Sequence, residues 1–400
     1  MRQRFSPPYQ FFPHSRRGSL APAVVIALVV VISGVGLTLD RLWLQAAQVE
    51  LLTAAESAAL GAGRHLVNDD LLRTSADPEK HIKRSRKAAV EIAVISLVSG
   101  EPVRLDGSPE GDIRFGRLLK QKRTGRVIFV ETSRAPTSVV VRARHTRALG
   151  NPVVTFFNGL TGTDGADVAA QAEATINNRI LGFEPLGGAP IPILPIAILR
   201  TAPENSRLES WQQSIDQRSG RDEFRYDEST GKVSRKADGI PEITLRLAKH
   251  HDEANAHVIV PKPQTSLAKL ARQMATGWNQ DDLPGGRTQL RIDAGLRDFQ
   301  TVNGVPGNVS GELPGIIGQC RIVLLYDELT PSDYSGGRIR CTQFAAGRIL
   351  NVTYQNGTCE IVFQPGVLTT RTAILADDRE TRISPEQLAN RYVYKLQLTQ

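Results

Sequence analysis

The segment LAPAVVIALVVVISGVGLTL, Leu20 to Leu39, contains no charged residue. At 1.5 Å rise per residue, about 20 apolar residues cross a hydrocarbon layer of about 30 Å. A chain carrying such a run must find lipid, or a very large core, to cover it. Arg2, Arg4, Arg16 and Arg17 precede the run; Arg41 alone follows closely, and the next basic residue is Arg64. That asymmetry predicts a cytoplasmic N-terminus with the remainder of the chain outside. The competing reading is a cleaved secretory signal, whose apolar region usually measures about 7–15 residues and ends at a small-x-small site. Here the run is longer and TLDRLWLQ follows it without such a site, so a retained anchor is expected. Trp43 suits the membrane–water interface.

No helix breaker interrupts the chain between Pro22 and Gly61 except Ser33-Gly34 and Gly36, inside the apolar run, where glycine is tolerated. Beyond it, Leu44, Ala47, Leu51, Ala54 and Ala58 recur every three or four residues. The spacing predicts one continuous helix from Leu20 to Leu66, weakened and ended by Gly61 and Gly63. Alanine favours helix but buries little surface. Two readings of this alanine face stand. It is a seam (Ala47, Leu51, Ala54, Ala58, Gly61) that lets a neighbouring backbone approach closely, as in membrane helix pairs, or it is the underside of an ordinary helix lying on the outer region.

These parts occur in a distinctive order: basic residues, RRGSLAP, an apolar span, then LDRLWLQAAQVELLTAAESAALGAG. The arrangement resembles the N-terminal module of TadE/TadG-like proteins of the tight-adherence (Flp) pilus assembly system. In that family an apolar span ends in an aspartate, followed by an Arg-hydrophobic-Tyr/Trp turn and an alanine-rich motif. Asp40 holds the aspartate place, and Leu51 to Leu60 fill the alanine motif, with Glu56 for its aspartate and Leu52-Thr53 for its Gln-Asn. Pilin-like subunits matured by a prepilin peptidase carry a glutamate five residues after the cleavage glycine. Counted from Gly18, with Ser19 first, that position is Ala23, which implies an unprocessed anchor. GDIRFGR, TSVVVRARHT, Gly150 to Val153 with Phe156 and Phe157, Ile316 to Ile322, and Gln364-Pro365 resemble outer parts of longer TadG-like chains. The residues of the Gly150–Phe157 stretch read as core and turn.

The outer region reads as strands from Ala88 onward: AVEIAVISL, DIRFGR, RVIFVE, TSVVVRARHT and ADVAAQAEATI, with NPVVTFFNGL a short helix or strand. EPLGGAPIPILPIAIL holds Pro185, Pro190, Pro192 and Pro195 and reads as an extended connector. TSLAKLARQMATGW is a predicted helix. CRIVLLYDEL, GGRIRCTQFAAGRILNVTYQNGTCEIVFQPG and RYVYKLQL are predicted strands, with Asn356-Gly357 a hairpin turn. The expected fold is α+β, a long N-terminal transmembrane helix followed by mostly antiparallel β-rich extracytoplasmic domains. Its parts are a basic tail (1–18), the membrane helix (19–39), its extension (40–66), a β-rich domain (67–182), a Pro-rich connector with a polar segment (183–265) and a C-terminal β-rich domain (266–400).

Cys320, Cys341 and Cys359 all fall outside the membrane in this topology. An oxidising compartment favours one disulfide, and Cys341 with Cys359, flanking the hairpin, is the expected pair; Cys320 with either is the competitor, and three buried thiols the third reading. HHDEANAH (His250 to His257) lacks H-E-x-x-H and any nearby cysteine, so no metal site is assigned to it. Asp227 to Gly231 falls one serine short of the Asp-x-Ser-x-Ser metal site of von Willebrand A domains. No G-x-S-x-G or Walker motif occurs, and neither a catalytic residue nor a cofactor is predicted.

The formal charge is +8, with local excess at Lys80–Lys87 and Arg117–Arg126. Solvated loops are the expectation there, and at 6% aromatic residues neither cluster has the stacking platforms of a nucleic-acid surface. The reading that follows is a non-enzymatic, single-pass protein of the inner membrane, an accessory or structural component of Tad/Flp pilus assembly. Its expected partners are lipid and pilus or secretion-complex membrane proteins, or a second copy of itself, with no nucleic acid. The alternative is a membrane-anchored adhesin or anionic-polymer-binding protein that uses the basic clusters.

Overall fold

The structure is a computed structural model. It describes residues 20–399 except 75–76, 122–123, 158–164, 293–297, 333–335, 356 and 378–387.

Helix α1 (Ala21–Leu66) is a single uninterrupted element of 46 residues, about 69 Å long. Pro22 lies in its first turn, where the missing N–H has no intrahelical acceptor to lose. Its first half is largely exposed, with Gly36 and Asp40 buried, and it is long and apolar enough to cross a membrane. The second half turns Ala47, Leu51, Ala54, Ala55, Ala58, Ala59 and Ala62 inward. After a 3-10 turn (Asp69–Leu72), α2 (Pro78–Ile95) doubles back against α1.

The alternation in AVEIAVISL therefore does not make a strand. Asp77 caps the helix through the amides of Glu79 and Lys80, and Pro78 starts it. The buried residues Ser85, Ala89 and Ala93 then follow a four-residue period. The Lys80–Lys87 cluster consequently lies on a helix rather than a loop.

The two helices cover a sheet built from β1 (Ile113–Lys120), β2 (Val127–Glu131), β3 (Ser138–His145) and β4 (Val168–Asn177), all neighbours antiparallel. The core between them is mostly alanine and valine: Ala54, Ala58, Ala143 and Ala174 meet Val139 and Val141. Small residues on both sides let helix and sheet backbones come close. A Cβ on Gly63 would lie 2.7 Å from Leu396, and one on Gly61 would lie 2.0 Å from Ile92 of α2.

The second unit is a barrel. Its strands are β5 (Ile193–Leu199), β6 (Ile243–Leu247), β7 (Ala256–Val260), β8 (Asp298–Val302), β9 (Cys320–Pro331), β10 (Gly337–Gln355) and β11 (Thr358–Pro365). The order is β6-β11-β10-β8-β7-β5-β9, and β9 pairs in turn with β10, which closes a ring of five strands (β10, β8, β7, β5 and β9) from which β11 and β6 continue. β10 runs 19 residues because it serves several partners: β8 at its start, β9 along most of its length and β11 at its end. Only β5–β9 is parallel within this sheet. Helix α3 (Leu267–Thr276), capped by Ser266, packs on β5.

Segment 183–265 is thus not a connector. All seven residues of β5 are buried, and the strand sits between β7 and β9. Pro195 is accommodated where the β5–β9 register shifts, between the pairs Ile322–Ile193 and Leu324–Ala197. An irregular register is one of the places where a strand tolerates a missing donor. Large side chains fill this core, among them Trp211, Trp278, Phe183, Phe344 and Phe363, each at most 1% exposed.

The chain's end returns to the first sheet. β12 (Leu368–Thr369) and β13 (Val393–Leu398) join it, with β13 antiparallel to β4, so residues 266–400 do not form one unit. Asp69 ties the two units together. Its carboxylate meets Arg348 Nη1 at 2.5 Å and accepts the Val367 amide at 2.7 Å. The Arg348 guanidinium lies 4.1 Å over the Tyr226 ring.

The cysteines are unpaired. Cys359 faces Tyr354 across β10–β11, whereas Cys341 faces Tyr326 on β9. Thirteen residues separate positions 341 and 354 along β10, on the order of 40 Å of strand path. The hairpin does form, with Gln355 opposite Thr358 and Gly357 at φ +78°; Asn356 lies outside the described residues.

Candidate functional site

The feature that couples the apolar helix to everything beyond it is a collar around Asp40. Asp40 follows directly on the uncharged run and is 6% exposed. Oδ1 accepts the amide of Phe156 at 2.8 Å and Oδ2 accepts that of Phe157 at 3.2 Å. A carboxylate taking two backbone N–H groups makes charge-assisted bonds, about twice as strong as neutral ones. One helical turn earlier, Gly36 leaves room for the Phe157 ring: a Cβ there would lie 3.0 Å from it. One turn later, Trp43 donates Nε1–H to the Val154 carbonyl at 3.1 Å, and its ring lies 5.2 Å from that of Phe156. Three successive positions on one helix face, four and three residues apart, therefore hold one loop.

The loop is presented by its own local chemistry. Gly150 adopts φ +72°, the left-handed conformation that ends the short turn Arg147–Leu149. Asn151 Oδ1 accepts the Thr146 amide at 3.0 Å, and Val153 forms an antiparallel bridge with Ala166. Val153 is buried, but Phe156 and Val154 are 67% and 61% exposed, so this stretch is neither helix nor strand and its aromatic tip is not core.

Ala47, Leu51, Ala54 and Ala58 do allow a close backbone approach, and the backbone that approaches is the chain's own sheet, β3, β4 and β13. Gly61 faces α2. What α1 leaves outside its own fold is the opposite face, with Leu42 and Val49 56% and 65% exposed, and the apolar run apart from Gly36.

The titratable groups show no catalytic arrangement among the described residues. Burial pushes the Cys320 thiol up to about 12 and that of Cys359 to about 11, and raises that of Cys341 further, so all three stay protonated and unreactive at neutral pH. His257 is buried on a barrel strand; burial lowers its pKa to about 4, and its Nε2 has no hydrogen-bond partner. Its ring lies 5.4 Å from that of His251, and no group of three or more ligating side chains gathers among the described residues. Asp227 accepts the Ser229 amide and hydroxyl at 2.9 and 2.6 Å, closing a hairpin turn. An apolar cavity of about 350 Å³ lies between the end of α1, the start of α2 and the sheet edge, lined by Leu66, Pro78, Ile82 and Tyr394. Its imidazole, His81, is held by Asn68 at 3.2 Å, with its pKa lowered by burial.

In the sequence, Asp40 and Phe156 stood out only through the family resemblance, where Phe156 read as core or turn, and nothing singled out Arg348. In comparisons with known proteins, no family model, no curated protein and no solved structure matches this chain.

Proposed function

We propose that this chain is a non-enzymatic, single-pass envelope protein of the TadE/TadG-like class, an accessory or structural component of tight-adherence pilus assembly. In this reading α1 crosses the inner membrane with its N-terminus in the cytoplasm and carries both β units on the outer side. The observation that supports it most is the Asp40 collar. Two segments that carry the resemblance, the aspartate after the span and the Gly-Asn-Pro-Val stretch with its aromatics, meet there at 2.8 and 3.2 Å. Such a joint passes a displacement of the membrane helix to the outer region without a flexible linker. Lateral contacts with pilus or secretion-complex membrane proteins, or with a second copy, then fall on the run Leu20–Leu39 and on Leu42 and Val49, because the alanine face is occupied internally.

The adhesin or polymer-binding alternative draws less support. Asp70 meets Arg84 at 2.8 Å and Glu91 meets Lys87 at 3.6 Å, while Arg86 lies over Phe115. Photo-crosslinkers at Leu42 and Val49 are expected to capture a membrane protein of the pilus machinery, and one at Ala54 only this chain. Silence at all three positions, together with normal piliation when the chain is deleted, contradicts the proposal. Loss of surface binding on reversing Lys80 and Lys83, with pili intact, favours the alternative.

A further inference from the structure

We infer that the loop 153–157 is a second membrane contact, an aromatic foot that inserts into the outer interface of the bilayer beside the helix. The inference rests on reading α1 as a membrane span. Phe157 packs on Gly36, and Gly36 lies inside the uncharged run, three residues before its end at Leu39. Its neighbours Val35, Leu37 and Leu39 are 54%, 58% and 47% exposed. At 1.5 Å per residue, Gly36 sits about 6 Å along the axis on the membrane side of Asp40. Amphipathic elements that lie in an interface reach about 5–10 Å into the headgroup and acyl boundary. The collar fixes the loop at that depth, because both Asp40 oxygens and the Trp43 indole hold its backbone rather than its side chains. The side chains of Val154 and Phe156 are left facing outward.

The occupant is lipid, and the argument is continuity. The exposed apolar surface of the loop adjoins the exposed apolar surface of the helix at the level where Trp43, an interfacial residue type, lies against Phe156 with the rings tilted by 59°. Backbone polar groups of a loop are costly in hydrocarbon. Here the Phe156 and Phe157 amides and the Val154 carbonyl are satisfied by α1 itself, which suits the loop to the edge of the lipid. A foot beside the helix sets the rotation of the helix and the distance of the outer sheet from the membrane.

The test uses the full chain in phosphatidylcholine–phosphatidylglycerol vesicles, with nitroxide labels on Val154→Cys and, separately, Phe156→Cys. Leu37→Cys serves as the lipid reference and Lys232→Cys, on an exposed strand, as the water reference. The parent chain taken through the same labelling verifies that its native thiols stay unmodified. Labels at 154 and 156 are expected to resemble Leu37, with access to a water-soluble nickel chelate several-fold below that at Lys232 and raised access to dissolved oxygen. Labels at 154 and 156 that behave like Lys232 while Leu37 reads lipid overturn the foot and leave the span standing. If Leu37 also reads water, the membrane reading of α1 falls, and the foot with it.

Discussion

The helix–sheet unit and the barrel bury their residues by opposite means. Where α1 lies on its sheet, the buried side chains are mostly alanine and valine, and stability comes from bringing two backbones close enough for small groups to touch. In the barrel, Trp211, Phe344, Phe363 and a series of isoleucines fill the space between strands. Alanine burial removes little apolar area per residue, so the first unit gains less from each contact, and fixes geometry more tightly because nothing large can repack. An element that must hold one orientation is served by the first kind of interface, and a self-standing core by the second.

Cutting the tie between the two units gives the largest effect. Asp69→Ala leaves the Arg348 side chain, 7% exposed, as an unpaired charge and frees the Val367 amide. A loss of about 3–5 kcal/mol is expected, and calorimetry should resolve separate helix–sheet and barrel transitions in the variant where the parent shows one. The two cores should then respond with opposite size preference. Phe363→Ala should cost about 3–5 kcal/mol in denaturant titration. At Ala58 truncation to Gly should cost only about 1 kcal/mol, whereas enlargement to Leu should cost about 1–3 kcal/mol or more. Ala58→Leu proving neutral would break the comparison.

The pH response sharpens it. The lowered pKa of His257, about 4, means that its contribution to barrel stability is complete above its unfolded value near 6.5 and disappears as pH falls through about 4. Glu242 acts in the other direction. Burial raises its pKa to about 7, so its penalty applies above that pH and is relieved as pH falls toward its ordinary value of 4.5. The two offset each other between those ordinary values. Glu242→Gln should therefore steepen the loss of stability on acidification, read as the difference between pH 7 and pH 4.5 in parent and variant. His81 and His145 of the helix–sheet unit are also lowered by burial, and that unit should weaken on acidification below about 6.5. A smaller effect than cutting the tie is expected at the collar: Asp40→Asn keeps one acceptor but turns an amide donor toward the other backbone N–H, at a cost of about 1–3 kcal/mol, seen as faster exchange of the Phe156 and Phe157 amides.

Much of this architecture is written locally. The continuous α1 follows from the absence of breakers between Pro22 and Gly61, and β1 to β4 from alternation between turn residues. What local pattern does not carry is pairing at a distance. β5 looks like a proline-rich connector until β7 and β9 flank it, and β13 looks like the end of a C-terminal domain although it completes the first sheet. The disulfide expected between Cys341 and Cys359 fails for the same reason, since position along β10, not order around a hairpin, sets their separation. The alanine face does announce a close approach, but small residues are equally small toward any neighbour, and here the neighbour is internal. The collar joins residues 116 and 117 positions apart, beyond any local signal.

The central claim is that α1 runs unbroken from its apolar half into the sheet and is held rigidly at the junction. Hydrogen exchange of the full chain in lipid nanodiscs, read by mass spectrometry over residues 36–66, addresses it directly. Continuous protection from Leu39 through Leu66, comparable to that of barrel strands such as β9, is the predicted result. A peptide spanning Asp40 to Ala47 that exchanges within seconds while both flanks stay protected would reveal a hinge, and would contradict the account.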